Sequence, residues 1–266
     1  MMGRLDARRR SLSDLADYIA TEDEHSGFPL NLALIAGNEG LTFNLGDYED
    51  YFDGLLEYGG GHFHIYLNDH GKYSIDTPRI RFSFAHELGH YFIDEHRQVL
   101  ELGKSLHIPS RYLLEQKDPI EKEADFFASC LLMPESVFCQ KSAGKFSYQL
   151  ISDLQVFFRT SLSATLIRYM QIGPYPICVV SVKSGVIKQK WFSDDFPYKN
   201  LNTDFRGMVP KDTCAGEYPD SIYGQAESVD VSAWFRSYEN LTGLTLNEHC
   251  IYPSSGFDTV SILWFD

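Results

Sequence analysis

The residues best suited to chemistry are His86, Glu87 and His90, in the run His86-Glu87-Leu88-Gly89-His90. On a helix, positions i and i+4 lie one above the other on a single face. Two imidazoles so placed can bind one Zn²⁺, with Zn–N distances of about 2.0–2.1 Å. Glu87 follows the first histidine and projects near the metal without having to ligate it. There it can take a proton from a zinc-bound water, the division of labour that an HExxH helix supports. Three fixed letters in five also arise by chance, as a surface or core histidine pair beside a carboxylate. Here the pattern sits in a well-marked helix whose apolar face (Phe84, Leu88, Tyr91, Phe92) would bury it, and that context favours the metal.

A catalytic zinc takes three protein ligands and a water. His96 stands ten residues after His86, the spacing of HExxHxxGxxH sites, but the turning glycine of that pattern is replaced by Ile93. A β-branched residue does not readily adopt the conformation that glycine supplies there. His96 therefore reads as an exposed histidine at a helix end, favourable near the C-terminal dipole. The better source is Glu121-Lys122-Glu123-Ala124-Asp125-Phe126-Phe127-Ala128. Glu121 and Asp125 are an i, i+4 carboxylate pair, which repels by a few tenths of a kcal/mol unless a cation or an imidazole compensates. In this reading Glu121 ligates the metal and Asp125 accepts the N–H of His86, fixing its tautomer. Ala124 and Ala128 would let the two helices approach closely. Glu123 lies roughly 160° from Asp125 around the helix and reads as a solvated carboxylate; it is the alternative third ligand.

The elements that must hold these groups carry their own signals. Thr77 can cap the first helix and Pro78 suits its first turn; the helix is predicted to run to about Glu95. Asp118 and Pro119 open a second helix over Ile120 to Leu132, stopped by Met133-Pro134. Ser11 to Glu24 reads as an amphipathic helix with Leu12, Leu15, Ala16 and Ile19 on one stripe. Residues 30–58 are ambiguous. Gly59-Gly60-Gly61 breaks the chain, and residues 62–67 alternate like a half-buried strand. That strand is expected at the sheet edge beside the metal helix, where an extended substrate could add its own strand and meet His64 and Tyr66. Tyr66 and Tyr91 are among several groups that could stabilise an oxyanion, and the sequence does not choose. Two short helices are predicted around Arg159-Thr160-Ser161, and from Pro174 the texture turns to short β-rich runs (Ile177–Val182, Val186–Phe192, Thr259–Trp264). The expected fold is α+β: a zinc-peptidase-like domain over 1–146, a helix-turn-helix-like linker over 147–173, and a smaller β-rich α+β domain over 174–266.

The run Phe82-Ser83-Phe84-Ala85-His86-Glu87-Leu88-Gly89-His90, followed by Glu121-x-Glu123-Ala124-Asp125-x-Phe127-Ala128-x-x-Leu131-Leu132-Met133-Pro134, closely resembles the ImmA/IrrE family of zinc metallopeptidases. The likeness extends upstream to Tyr66-Leu67-Asn68 and downstream through Ser161–Gly173 to Ser232-Ala233-Trp234-Phe235 and Ser261–Phe265. It implies a minimal gluzincin-like fold of helices and a small antiparallel or mixed sheet. It also implies one Zn²⁺ per chain, with His86, His90 and Glu121 as ligands and Glu87 as the base. Family members typically cleave a helix-turn-helix (XRE-like) repressor, derepressing stress-response or mobile-element genes. Residues 175–266 look similar to GAF-like regions attached to some members, where a small-molecule or protein effector would bind. The chain departs from the pattern in a long insert over 97–118.

Composition narrows the remaining classes. The chain has 266 residues, 44% hydrophobic and 14% aromatic, enough for a sizeable core, and a net charge of −14. Such a balance argues against a protein built to grip nucleic acid, which needs clustered Lys and Arg, and suits a basic partner such as a DNA-binding repressor. The second helix of 147–172 offers Arg168 alone, with Arg159 in the turn, so no direct nucleic-acid binding is expected. No apolar run approaches a membrane span, and the basic start lacks the apolar stretch of a secretory signal. Five cysteines without CxxC spacing fit reduced thiols of a cytoplasmic protein. Cys130 and Cys139 read as buried thiols, and Trp191, Trp234 and Trp264 as core. Two rival functions stay open: a metal-containing protein that sequesters or remodels a repressor without cutting it, and a direct DNA-binding regulator.

Overall fold

The computed structural model describes residues 4–22, 27–103, 118–197, 207–216, 224–235, 241, 243–251 and 258–266, with backbone only for 4–6 and 258. Most of the 97–118 insert lies outside these residues. The chain forms two compact units, Met1–Lys141 with Asp153–Thr165, and Ser142–Ser152 with Leu166–Asp266.

The first unit opens with α1 (Arg4–Thr21), whose Leu12, Ala16 and Ile19 are buried at helical spacing, and α2 (Leu32–Asn38), capped by Asn31 Oδ1, which accepts from Leu34 N at 3.1 Å. Three strands follow: β1 (Thr42–Gly46), β2 (Gly54–Gly59) and β3 (His62–Asn68). Gly60 (φ 61°) and Gly61 (φ 83°) form the two-residue turn between β2 and β3, a left-handed pair that matches strand twist and that side chains resist. The sheet order is β1-β3-β2, with β1 parallel and β2 antiparallel to β3. This corrects one expectation: β3 is the central strand, and β1 and β2 form the edges. The strand's buried residues, Ile65 and Leu67, pointed to a paired strand as much as to an edge.

Next come α3 (Pro78–Phe92), α4 (Asp94–Glu101), α5 (Pro119–Leu132) and α6 (Glu135–Lys141). One sheet face packs on α3: the Phe43 and Phe84 rings lie 4.9 Å apart, and Phe63 meets Tyr91 edge-on at 5.2 Å. Asp118 caps α5 as predicted, accepting from Ile120 N at 3.0 Å. Thr77 holds the cap position of α3, but its hydroxyl donates to Ser74 O at 2.7 Å instead of accepting from the helix. The first helix also ends earlier than predicted. Ile93 (φ −79°, ψ 107°) breaks it after Phe92, and α4 starts afresh with Asp94 and Glu95 in its first turn. α3 and α5 pack closely at Gly89, where a Cβ would stand 3.1 Å from Phe127 Cδ1 and 3.4 Å from the backbone of Ala124. Ala124 and Ala128 are fully buried, as the small-residue reading anticipated.

α7 (Tyr148–Phe158) and α8 (Leu162–Ile172) flank the Arg159 turn, and the unit boundary runs through both. Arg168, the cation of the second helix, is 1% exposed and so unavailable to a phosphate. The second unit then builds β4 (Ile177–Lys183), β5 (Val186–Phe192), β6 (Glu227–Asp230), α9 (Val231–Trp234), β7 (Thr245–Ile251) and β8 (Asp258–Trp264). The strands form one antiparallel sheet in the order β5-β4-β8-β7-β6. Its core gathers Cys178, Val180, Trp234, Phe235, Leu246 and Leu263. Trp234 and Trp264 are buried as expected, whereas Trp191 is 40% exposed; Cys130 is buried and Cys139 exposed. Among the described residues no helix is long and apolar enough to cross a membrane.

Candidate metal centre

α3 presents His86 and His90 one turn apart, and their Nε2 atoms approach to 3.1 Å. α5 brings Glu121 against them, with Oε2 at 3.2 Å from His86 Nε2 and Oε1 at 3.4 Å from His90 Nε2. The three residues thus offer two imidazole nitrogens and a carboxylate within one small volume, a set able to hold a metal ion. Two imidazole faces and a carboxylate turned inward together are a poor arrangement without a cation. The electrostatics agree: burial disfavours a charged His86, but hydrogen bonds to Asp125 and Glu121 and the charge of Glu87 outweigh it and raise its pKa to about 10. Burial likewise opposes ionisation of Glu121, yet the two histidines hold it well below the usual carboxylate range. The site is built to stabilise positive charge at its centre.

Asp125, one turn beyond Glu121, accepts from His86 Nδ1 at 3.0 Å, which leaves Nε2 as the free lone pair. Glu87 is 4% exposed, and its Oε2 has no hydrogen-bond partner. A buried carboxylate oxygen without a donor is costly unless a ligand or water supplies one. Its other oxygen faces β2, where a Cβ at Gly54 would lie 2.7 Å from Glu87 Oε1 and 3.0 Å from Cγ. Only a glycine there gives this carboxylate its room. The sequence offered no signal for that role of Gly54.

His96 is the clearest departure from expectation. It is 2% exposed, buried in the first turn of α4 because the chain breaks at Ile93. Its Nδ1 lies 3.2 Å from His90 Nδ1, and its Nε2 lies 3.4 Å from Glu123 Oε2. Glu123 in turn accepts from Arg8 Nη2 at 2.7 Å and Nε at 3.0 Å. Burial and the neighbouring His90 lower the His96 pKa to about 4. His96 and Glu123 therefore stand behind His90 as Asp125 stands behind His86. The acidic pair Asp94-Glu95, typical of a first helical turn, was the one local hint of the break. Arg8 had none.

The structure does not bring His64 and Tyr66 to this cluster. Strand alternation puts them on the sheet face opposite Phe63, and Phe63 is the residue that meets α3. His64 Nδ1 faces Thr42 Oγ1 at 2.6 Å and its Nε2 faces Asn44 Oδ1 at 2.5 Å, while the Tyr66 hydroxyl donates to Glu57 Oε2 at 2.9 Å. The Tyr91 hydroxyl donates to Glu39 Oε2 at 3.2 Å.

Residues 64–170 match the model of the IrrE N-terminal-like domain, Peptidase_M78. No curated protein is similar enough in sequence to add a further relative. Among solved structures, a Mycobacterium tuberculosis transcriptional regulator shares the fold at a TM-score of 0.57, with 14% identity over 98% of this chain and 78% of that one. The matched stretch, residues 64–170, carries both motif helices and is similar to the IrrE N-terminal-like peptidase domain.

Proposed function

We propose that this metallopeptidase-like protein is a zinc-dependent endopeptidase that cleaves a protein partner, with a helix-turn-helix repressor as the favoured substrate. The observation that carries the reading is the convergence of His86 Nε2, His90 Nε2 and Glu121 on one small volume, with a buried, unpartnered Oε2 on Glu87, the residue that follows His86 and whose charge acts on it. His86, His90 and Glu121 would hold a zinc ion, which would supply Lewis acidity and acidify a water. Glu87 is the chain's own base, placed to hold a proton at Oε2 and pass it to a leaving amine. Asp125 and the His96–Glu123 pair keep the two imidazoles in the tautomers that turn Nε2 inward. An extended substrate segment would pair with the free edge of β2, the edge strand whose Gly54 touches Glu87. The net charge of −14 suits a partner with a basic DNA-binding face, and the fold is shared with a protein named a transcriptional regulator. Residues 174–266 would serve as the regulatory part.

The test incubates zinc-loaded protein with candidate helix-turn-helix repressors, starting with any encoded next to its gene, then compares Glu87→Gln by mass spectrometry. Cleavage by the wild type, lost in the variant, is the expected result. If both proteins abolish operator binding with no fragment formed, the partner is sequestered and the peptidase reading fails. Salt-sensitive DNA binding by the chain alone would favour the direct regulator instead.

A further inference from the structure

The second unit buries a group of side chains that the peptidase reading does not use. Strand alternation turns Glu248 and Cys250 of β7 to the same face, and Cys250 pairs in register with Ser261 of β8. The segment 207–216 delivers Cys214 to the same point. Glu248 is 0% exposed, Cys214 3% and Cys250 7%. The Glu248 carboxylate accepts from Cys214 N at 3.1 Å, Trp234 Nε1 at 3.0 Å, Ala215 N at 3.2 Å and Ser261 Oγ at 2.9 Å. These donors hold the carboxyl group deep in a β core, and among the described residues no cation pairs with it. Burial of an ionised carboxylate without a cation is expensive even when it is hydrogen-bonded.

Two thiols flank that carboxylate. Cys250 Sγ lies 3.3 Å from Glu248 Oε1 and 3.1 Å from Ser261 Oγ, and one ligand atom each from Cys214, Glu248 and Cys250 lie within 4.8 Å of one another. Around a tetrahedral zinc with bonds of about 2.3 Å to sulfur and 2.0–2.2 Å to oxygen, ligand atoms sit about 3.5–3.8 Å apart. The Cys250 Sγ–Glu248 Oε1 pair, at 3.3 Å, is near that spacing, and the whole set lies within 4.8 Å before any ion draws it in. We infer that Cys214, Glu248 and Cys250 form a second metal site, for one thiophilic divalent cation of the Zn²⁺ class, with Ser261 beside the fourth position. Binding replaces the two S–H protons by the metal, so two protons leave as the cation enters. The Cys250 S–H···Oε1 contact becomes a shared edge of the coordination sphere, while the backbone donors keep the carboxylate in place. The site would tie segment 207–216 to the central strands of the sheet, a structural clasp distinct in ligand type from the His–His–Glu site of the first unit.

The inference does not depend on peptidase activity, and its readouts differ accordingly. Wild-type protein loaded with zinc and desalted is expected to hold about two ions per chain. Cys214→Ser with Cys250→Ser is expected to hold about one, and so is His86→Ala with His90→Ala. Cobalt replacement of zinc in the wild type and in the histidine variant should give the near-ultraviolet thiolate-to-metal charge-transfer band that a His–His–Glu site cannot produce. Zinc in excess should raise the unfolding midpoint of the histidine variant by several degrees. One zinc per wild-type chain with no thiolate band overturns the site, whether or not the cysteine variant folds. So does a Cys214–Cys250 disulfide, read as a loss of two hydrogens in the intact mass of protein prepared without oxidant.

Discussion

Gly54→Ala should disable the reaction without emptying the metal site. A Cβ at this position would stand 2.7 Å from Glu87 Oε1, where ordinary contact begins at 3.4 Å, so the carboxylate must retreat by about 0.7 Å. Turning the carboxyl group alone does not relieve the clash, because Cγ is also at 3.0 Å. Glu87 is 4% exposed, so it has little free space to swing into. Misplacing a reacting group by about 1 Å can cost on the order of 10²-fold. A shift of about 0.7 Å therefore predicts a 10–100-fold loss in kcat/KM, about 1.4–2.7 kcal/mol in the barrier. Stability should fall by about 0–2.6 kcal/mol, because overpacking costs about 1–3 kcal/mol and the stiffer unfolded chain offsets roughly 0.4–1 kcal/mol. The assay pairs cleavage kinetics with zinc content and thermal unfolding, using Glu87→Gln as the inactive reference. Full activity in Gly54→Ala beside an inactive Glu87→Gln would refute the claim that β2 sets the position of the base. Loss of zinc in Gly54→Ala would show that the glycine acts through the metal ligands instead.

Other consequences are equally direct. Glu121→Gln should lower zinc affinity at the His86–His90 site at least tenfold while leaving the helical circular dichroism intact, because its carboxylate is the one anionic member of that ligand set. Unchanged zinc content would point to Glu123 as the ligand. Glu248→Ala, measured in chelator so that no metal contributes, should destabilise the protein by about 3–5 kcal/mol, since it strands buried backbone and indole donors; a loss under about 1 kcal/mol would contradict this. Lys190 lies 5.0 Å from the centre of the Phe235 ring and 5.4 Å from that of Trp234, and burial pushes its pKa down to about 7, slightly opposed by Cys178. Between about 7 and the free-lysine value the unfolded chain binds more protons, so stability should rise with pH across that window, and the cost is fully present below 7. Lys190→Met should flatten that rise and stabilise the protein at pH 7 by about 1 kcal/mol after allowing for partial solvent access. A pH profile unchanged by the substitution would exclude Lys190 as its source.

What the sequence made legible was local. The i, i+4 histidines, the Asp118–Pro119 helix start, the i, i+4 carboxylates and the small residues at 124 and 128 each act within one or two helical turns, so their placement follows from helix geometry alone. The strand at 62–67 was visible for the same reason, through its alternation. Its neighbours were not, because pairing depends on which distant segments meet. β1 and β2 came from a stretch with no clear period, and their arrival turned a presumed edge into a central strand and sent His64 and Tyr66 to the far face. Gly54 against Glu87 is a contact between elements with no sequence mark. The Cys214–Glu248–Cys250 group is likewise assembled across the fold, and Cys spacing alone gave no reason to join a residue at 214 to a strand at 248–250.

His96 reads from its spacing as an exposed helix-end residue, yet it is buried behind His90, and that burial fixes a tautomer. For His90 to offer the Nε2 lone pair to a metal, its proton must sit on Nδ1. That atom faces His96 Nδ1 at 3.2 Å, so His96 must present a lone pair there and carry its own proton on Nε2, toward Glu123. A protonated His96 would set N–H against N–H. The depressed pKa of His96 keeps it neutral at pH 7, in the one form that fits. Arg8 then holds Glu123 as a charged acceptor at the end of the chain and binds Glu95 as well, at 3.1 Å. Each histidine of the motif is thus fixed by an acceptor on its outer side, a carboxylate directly for His86 and a carboxylate through a second imidazole for His90. A glycine at position 93 would have carried the tenth residue round toward the metal. Ile93 breaks the helix at a different angle and turns the same residue type into a support behind it.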